Sequence, residues 1–250
     1  MINLFKAIEL ETKSLLENKV WFVISLFIPA ILVFIFSKIA YMVIPAWDGR
    51  TYYDFFIPII LPLIILFITI QKTILRIIGE KTPYGTLERD LLAIPKTAMY
   101  LGKWLVNSGL AIIQVFLIYF VIMIIAPIKI TNDTTFILFT LILLAMFGTA
   151  FGLLFSALVS TKETAMQIVP YIVLTFYILN PLVIPLETLN PTFSSVVNNL
   201  PFSLAYDTIN NTMFSVVFSK YINNLNILKL SLWALCSLII GIIIFKLRKK

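Results

Sequence analysis

Long apolar runs with almost no charged residues constrain this sequence more than any other feature. A helix that crosses the hydrocarbon layer of a membrane needs about 20 mostly apolar residues, because the layer is about 30 Å thick and each residue rises about 1.5 Å. Six stretches meet this requirement, at approximately residues 20–44, 55–78, 104–127, 134–159, 165–186 and 230–245. The sequence therefore predicts an all-α integral membrane protein with six transmembrane helices.

The positions of the basic residues predict the orientation of these helices. Lysine and arginine are enriched in the cytoplasmic loops of membrane proteins. With six spans and a cytoplasmic amino terminus, fourteen of the nineteen basic residues lie inside and five outside. We therefore expect a multi-pass protein of the cell membrane with both termini in the cytoplasm.

The first nineteen residues have the pattern of an amphipathic helix. Phe5, Ile8 and Leu15 fall on one face at helical spacing, and Lys6 and Lys13 fall on the opposite face. Such a helix lies in the membrane interface or against a partner before the chain enters the bilayer. The sequence predicts an amino-terminal interfacial helix over residues 1–19.

Composition removes several classes of function. Apolar residues make up 60% of the chain and charged residues 12%, whereas soluble domains carry roughly 25% charged residues. Histidine is absent and Cys236 is the only cysteine, which excludes an internal disulfide, His- or Cys-based metal sites and Ser–His or Cys–His nucleophiles. The net charge of +7 comes from basic residues beside the apolar runs, so we expect contact with membrane lipid and no nucleic-acid binding.

The sequence offers no energy source of its own. A phosphate-binding loop needs a glycine, four residues and then Gly-Lys-Ser/Thr, but the Gly102-Lys103 pair is followed by Trp104. Proton-coupled carriers usually hold ionisable groups inside the membrane. Here Lys72 and Arg76 lie near a span end, where their side chains can extend toward the interface. The chain is predicted to be a transport subunit without a catalytic site.

The loop at residues 79–103 is the longest on the predicted cytoplasmic side. Pro83 and Gly85 break a helix continuing from the second span, and Thr86 can cap a short new helix. Leucines give that helix an apolar face, and Pro95 disfavours its continuation. A short capped helix between two spans can dock a cytoplasmic partner, or it can pack beneath its own bundle.

One string in this loop carries a family resemblance. Gly85-Thr86-Leu87-Glu88, followed by Leu91-Leu92, Pro95 and then Gly102-Lys103, resembles the signature of the type-2, drug-exporter-like ABC transporter permeases. The resemblance implies a type V exporter-like fold, a dimer of permeases, and a loop that contacts a separate ATP-binding subunit. The residues expected to couple to that ATPase are Glu80, Gly85, Thr86, Leu87, Glu88, Leu91 and Pro95.

The predicted external loop at residues 187–229 supports the same resemblance. Its proline-rich start suits re-entrant-like helices that do not span the membrane. The residues of interest there are Pro185, Glu187, Pro191 and Pro201. Polar side chains of the third and fifth spans are candidates for a substrate path, or for hydrogen bonds between helices: Asn107, Gln114, Tyr119, Thr175, Tyr177 and Asn180.

We interpret residues 1–250 as one ABC transporter transmembrane domain. Its expected parts are the interfacial helix (1–19), spans one and two (20–78), the coupling loop (79–103), spans three to five (104–186), the external loop (187–229), and span six with a basic tail (230–250). The expected function is the permease subunit of an ATP-driven exporter, acting with a second permease and two cytoplasmic ATPase subunits that bind ATP and Mg²⁺. The alternatives are a secondary carrier or channel, and a membrane-bound immunity or scaffold protein.

Overall fold

The computed structural model describes residues 2–17, 19–43, 52–80, 94–125, 134–180, 191–214 and 219–247. Over these residues the chain forms nine helices and no strand. The helices are α1 (Ile2–Glu17), α2 (Lys19–Val43), α3 (Tyr52–Glu80), α4 (Lys96–Ile125), α5 (Thr134–Leu158), α6 (Lys162–Ile178), α7 (Pro191–Asn198), α8 (Pro201–Phe214) and α9 (Ser219–Leu247). The all-α prediction is confirmed.

Four of these helices are long and apolar enough to cross a membrane. Within the described part of the chain they are Phe56–Glu80, Lys96–Ile124, Thr135–Leu158 and Ile222–Leu247. A fifth span is counted when α1 and α2, whose axes differ by 76°, are taken together. The predicted fifth span corresponds to α6, which has 17 residues. The structure thus confirms a multi-span membrane protein, and the number six stays a prediction.

Helix α5 is the centre of the bundle because small residues let other helices approach it closely. It packs against α3, α4, α8 and α9. A Cβ atom added at Gly152 would lie 3.0 Å from the carbonyl oxygen of Ile70, and one added at Gly148 would lie 3.1 Å from the Cβ of Thr69. This is the helix-packing seam expected of regularly spaced small residues in a membrane helix.

Helices α1 and α2 lie at the periphery. Helix α2 packs mainly on α4 and to a smaller extent on α3, and α1 packs on α4. The buried side chains of α2 include Ala30 and Val33, while Phe27, Ile31 and other large apolar residues are exposed. An apolar surface of this kind fits a helix that faces lipid or another membrane subunit.

Several helix bounds differ from the sequence prediction. Helix α9 begins at Ser219 instead of residue 230, α4 begins at Lys96 instead of residue 104, and α3 continues to Glu80. A hydropathy pattern places the end of a span where polar and charged residues become frequent. A helix can continue through such residues when side chains of neighbouring helices form hydrogen bonds with them. Asn223 in the first part of α9, for example, donates from Nδ2 to Thr212 Oγ1 of α8 at 3.0 Å. The loop predicted at 79–103 is correspondingly shorter.

Helices α7 and α8 are too short to span a membrane, as predicted for this region. They have 8 and 14 residues against the roughly 20 that a span requires. Trp233 of α9 donates from Nε1 to the carbonyl of Asn199 at 2.8 Å and so fixes the turn between the two helices.

On α8, burial raises the pKa of Asp207 to about 6, and burial with the Asp207 charge raises the pKa of Tyr206.

We expect the substitution Gly152→Ala to destabilise the protein by about 1–3 kcal/mol, the usual cost of overpacking. The added methyl group would approach backbone atoms of Ile70, which cannot move aside as a flexible side chain can. The matched control is Gly109→Ala on α4, where an added Cβ meets nothing within 4 Å. Thermal unfolding in detergent should show a lower midpoint for the first variant and an unchanged or higher midpoint for the control. Equal midpoints for the two variants would contradict close packing of α3 against α5 at Gly152.

We also expect Asp207 to make stability depend on pH. Its pKa is about 6 when folded and about 3.9 when unfolded, so the folded state binds more protons between these values. The free energy of unfolding should therefore fall as the pH rises from about 4 to about 6 and then level off. Asp207→Asn should be more stable than the wild type by about 3 kcal/mol at pH 7.5 and equal to it below pH 4. Glu9→Gln, at an exposed carboxylate, serves as the control. If the effect of Asp207→Asn on stability did not change with pH, the raised pKa of Asp207 would be contradicted.

Candidate functional site

A buried cluster of charged residues joins three helices at the end of the bundle where α3 ends and α4 begins. Its centre is Lys103 of α4, whose side chain is 3% exposed. The Lys103 ammonium lies 2.9 Å from Oε2 of Glu11 on α1 and forms a second ion pair with Oε2 of Glu80, the last residue of α3. One cation is thus shared by two carboxylates from different helices.

Arg76 supplies the second positive charge. Its Nη2 atom lies 3.0 Å from Oε1 of Glu11 and donates to the Glu11 carbonyl at 2.9 Å. Its Nε atom lies 3.5 Å from Oε1 of Glu80, one helical turn away. Asn107 completes the cluster, since its Nδ2 atom donates to Oε1 of Glu11 at 3.3 Å and its Oδ1 atom accepts from Arg76 at 3.4 Å. We call Glu11, Arg76, Glu80, Lys103 and Asn107 the Glu11 network.

The charges of the Glu11 network balance, and that balance permits its burial. The side chains of Glu11, Arg76 and Glu80 are 5%, 13% and 10% exposed. An isolated ion at such depth would cost several kcal/mol, whereas two carboxylates and two cations with complementary hydrogen bonds offset much of that cost. The carboxylate of Glu11, from another helix, holds the Arg76 side chain inside the bundle.

A close backbone approach brings Glu11 to this depth. Gly102 of α4 faces Ala7 of α1, and a Cβ atom added at Gly102 would lie 2.7 Å from the Ala7 Cβ. Glu11 stands one turn after Ala7, so it meets Lys103, the residue after Gly102. Glu11 was not predicted as a site residue, because the charged residues of α1 have the pattern of a solvated face. The sequence did contain one indication of a further carboxylate. Arg76 and Lys103 are two cations near predicted span ends, and Glu80 is the one carboxylate close to either of them in the sequence.

The predicted coupling loop begins and ends beside the Glu11 network. Glu80 belongs to the network, and Pro95 is exposed directly before α4, with its carbonyl accepting from the Met99 N–H at 3.0 Å. The remaining predicted coupling residues lie outside the described residues: Gly85, Thr86, Leu87, Glu88 and Leu91. What the structure shows is that α3 before the loop and α4 after it are held by one set of ion pairs.

The structure does not bring the predicted substrate-path residues together. Asn107 lies in the Glu11 network, and Tyr119 stands about 18 Å further along α4, lining an open apolar groove of about 570 Å³ with Phe116 and Phe120. On α6, Thr175 is exposed and bonds its own helix at the Tyr171 carbonyl. Of the cavities described, one is lined by Tyr119 and another by Gln114, and neither is lined by a second residue of this set.

Two further predicted residues lie near Thr175, at the carboxyl-terminal end of α6. Tyr177 is half-buried and contacts the Phe202 ring edge-to-face, with ring centroids 6.3 Å apart. Asn180 is buried just after the helix ends. Tyr177 thus contributes to the packing of α6 against α8.

Gln114 has a specific structural role. Pro29 of α2 has no N–H, so the carbonyl four residues earlier, that of Ser25, lacks its usual partner within the helix. Gln114 of α4 donates to this carbonyl from Nε2 at 2.7 Å. The space beside Gln114 is only about 10 Å³, at or below the volume that one water needs. Of the two interpretations open for Gln114, the hydrogen bond between helices is the one the structure supports.

Two of the prolines that were singled out in the predicted external loop stand at the start of helices. Pro191 is the first residue of α7 and Pro201 the first of α8, a position where the missing N–H has no cost and the fixed backbone angle favours a helix. Pro185 and Glu187 lie outside the described residues. Convergent metal-ligating side chains are not found either, since no group of three His, Cys, Asp or Glu occurs in the described ranges.

Comparison with known proteins adds one independent finding. The model of a family described as ABC-2 type transporter matches residues 5–214 of the chain. This stretch includes the whole Glu11 network and the loop between α3 and α4. A comparison with curated proteins finds no match.

A double-mutant experiment tests the role of Gln114. Gln114→Leu should cost about 0.6–1.7 kcal/mol of stability, the range for hydrogen bonds between membrane helices. In a Pro29→Ala background the cost should be close to zero, because the substituted alanine provides the backbone N–H that the Ser25 carbonyl lacks. Thermal or denaturant unfolding of the four proteins in detergent measures the coupling. The same cost in both backgrounds would show that Gln114 acts elsewhere.

Proposed function

The chain belongs to the ABC-2 type transporter family, and on that premise we propose that it is the permease subunit of an ATP-driven exporter. Two copies, or one copy and a related permease, form the translocation path in the cell membrane. Two cytoplasmic ATPase subunits bind and hydrolyse ATP with Mg²⁺, and this chain contributes no nucleotide site. The proposed arrangement has six spans of type V exporter-like topology, with both termini in the cytoplasm and α7 and α8 on the outer side.

The observation that carries this proposal is the family match over α1 to α8, which includes the loop between α3 and α4. Ion pairs at both borders of that loop support its role as the coupling element. Glu80 before the loop and Lys103 after it are bonded to each other and to α1. A force applied to the loop by a docked ATPase therefore acts on α1, α3 and α4 together.

The charge distribution disfavours the secondary-carrier alternative. Within the four described spans, Glu80 is the single carboxylate, and it is ion-paired with Lys103 and Arg76. A proton-coupled carrier needs a carboxylate that can load and release a proton during transport. Energy from a separate ATPase suits this bundle better.

The experiment compares ATPase binding by three proteins. Wild-type permease reconstituted with its candidate ATPase should retain that subunit on an affinity column and raise its rate of ATP hydrolysis. Leu91→Asp, in the predicted apolar face of the loop, should lose both. Val196→Asp, an equally severe change at an exposed position of α7, should keep both, because α7 is proposed to lie on the opposite side of the membrane.

Other outcomes identify the alternatives. Accumulation of a solute against its gradient by the purified permease alone would make it a secondary carrier. Ligand protection that survives when the partner ATPase is inactive would make it an immunity or scaffold protein. Retention of the ATPase by the Leu91→Asp variant would contradict the proposal that the loop between α3 and α4 binds the ATPase.

A further inference from the structure

We propose that Glu11 is a positioning residue that fastens the amino-terminal helix to both ends of the coupling loop, so that α1 moves with the loop and carries its displacement into α2. This inference rests on the proposed function and extends it from the loop to a second moving element. It gives the amphipathic helix, which could otherwise be a passive membrane anchor, a defined part in coupling.

The two carboxylate oxygens of Glu11 make the connection. Oε2 pairs with Lys103 of α4 and Oε1 pairs with Arg76 of α3, while the backbone carbonyl of Glu11 accepts from Arg76 as well. Helices α3 and α4 share few direct contacts. The two helices that border the loop are therefore linked mainly by ion pairs, one of them direct between Glu80 and Lys103 and two that pass through Glu11 of α1.

The attachment of α1 to the bundle is narrow. The buried residues of α1 are Ala7, packed against Gly102, and Glu11. Ala7 also forms an apolar cluster with Ile94 and Met99, and an apolar groove of about 350 Å³ lies between other parts of α1 and α4. The position of α1 therefore depends on this apolar contact together with the ion pairs of Glu11.

Displacement of α1 has a direct route into the membrane. Only Asn18 lies between α1 and α2, and the two axes meet at 76°. Helix α2 is in turn held near Ser25 by Gln114 of α4 and by Lys72 of α3, whose Nζ lies 3.4 Å from the Ser25 hydroxyl. A tilt of α1 therefore changes the angle at which α2 enters the bundle, with Ser25 as the nearest fixed point.

Energetics favour a positioning role over a stabilising one. Replacing a complete buried ion pair by apolar residues is often neutral or stabilising, whereas removing one partner is strongly destabilising. If stability were the only role, methionines at both positions would serve equally well. What the ion pairs add is directional geometry that fixes α1 in one place relative to α3 and α4.

The test separates coupling from folding with two variants. Glu11→Gln keeps the shape of the side chain and removes its charge. The double variant Glu11→Met, Lys103→Met removes a whole ion pair, leaves the Arg76–Glu80 pair and keeps the net charge balanced. The control is Glu9→Gln, an exposed carboxylate on the same helix. All are reconstituted in liposomes with the candidate ATPase.

Three measurements are made on each protein: retention of the ATPase, the rate of ATP hydrolysis, and the motion of α1. Motion is followed with a spin label on Phe5→Cys in a Cys236→Ser background, since Cys236 is the single native cysteine. In the wild type and in Glu9→Gln, trapping with Mg-ATP should change the label spectrum. In both Glu11 variants the ATPase should remain bound, while its stimulation falls by roughly five- to tenfold and the spectral change disappears.

Each outcome decides a different question. If no ATPase binds the wild type, the proposed function fails and this inference fails with it. If the wild type couples and the well-folded double variant couples equally, with the same label response, the proposed function stands and the role of Glu11 is refuted. If Glu11→Gln aggregates, the double variant alone decides between these outcomes.

Discussion

The need to neutralise Lys103 determines how helices α1, α3 and α4 are arranged. An ammonium group that is 3% exposed in an apolar bundle requires carboxylates at ion-pair distance. Glu80 comes from the end of α3, and the second carboxylate comes from α1, which must lie against α4 for Glu11 to reach. The small volumes of Gly102 and Ala7 make that approach possible. The placement of the amino-terminal helix thus follows from the charge of one side chain in another helix.

The helical framework was largely predictable from the sequence because it depends on local properties. Apolar runs, prolines and the spacing of small residues are read over neighbouring positions, and α2, α3 and α5 agree closely with the predicted spans. The starts of α4 and α9 were not predictable in this way, because polar side chains near them, such as Lys103 and Asn223, bond other helices. The same hydropathy pattern is compatible with a loop or with a helix in those places.

The candidate site was only partly predictable. Glu80 was identified as a coupling residue from the family resemblance, and Asn107 as a polar residue inside a span. Glu11 was missed because its partners lie 65 and 92 positions away in the sequence, and helical periodicity carries no information on contacts of that range. Asn107 and Gln114 contact different helices, since Asn107 bonds α1 and α3 whereas Gln114 bonds α2, and a shared substrate path stays a prediction.

The hydrogen bond at Ser25 has a mechanical consequence. A carbonyl satisfied by its own helix resists bending, because bending breaks the bond. The Ser25 carbonyl is satisfied instead by a side chain of α4, whose rotatable bonds let the donor follow the acceptor. Bending of helix α2 at Pro29 therefore need not leave the Ser25 carbonyl unpaired.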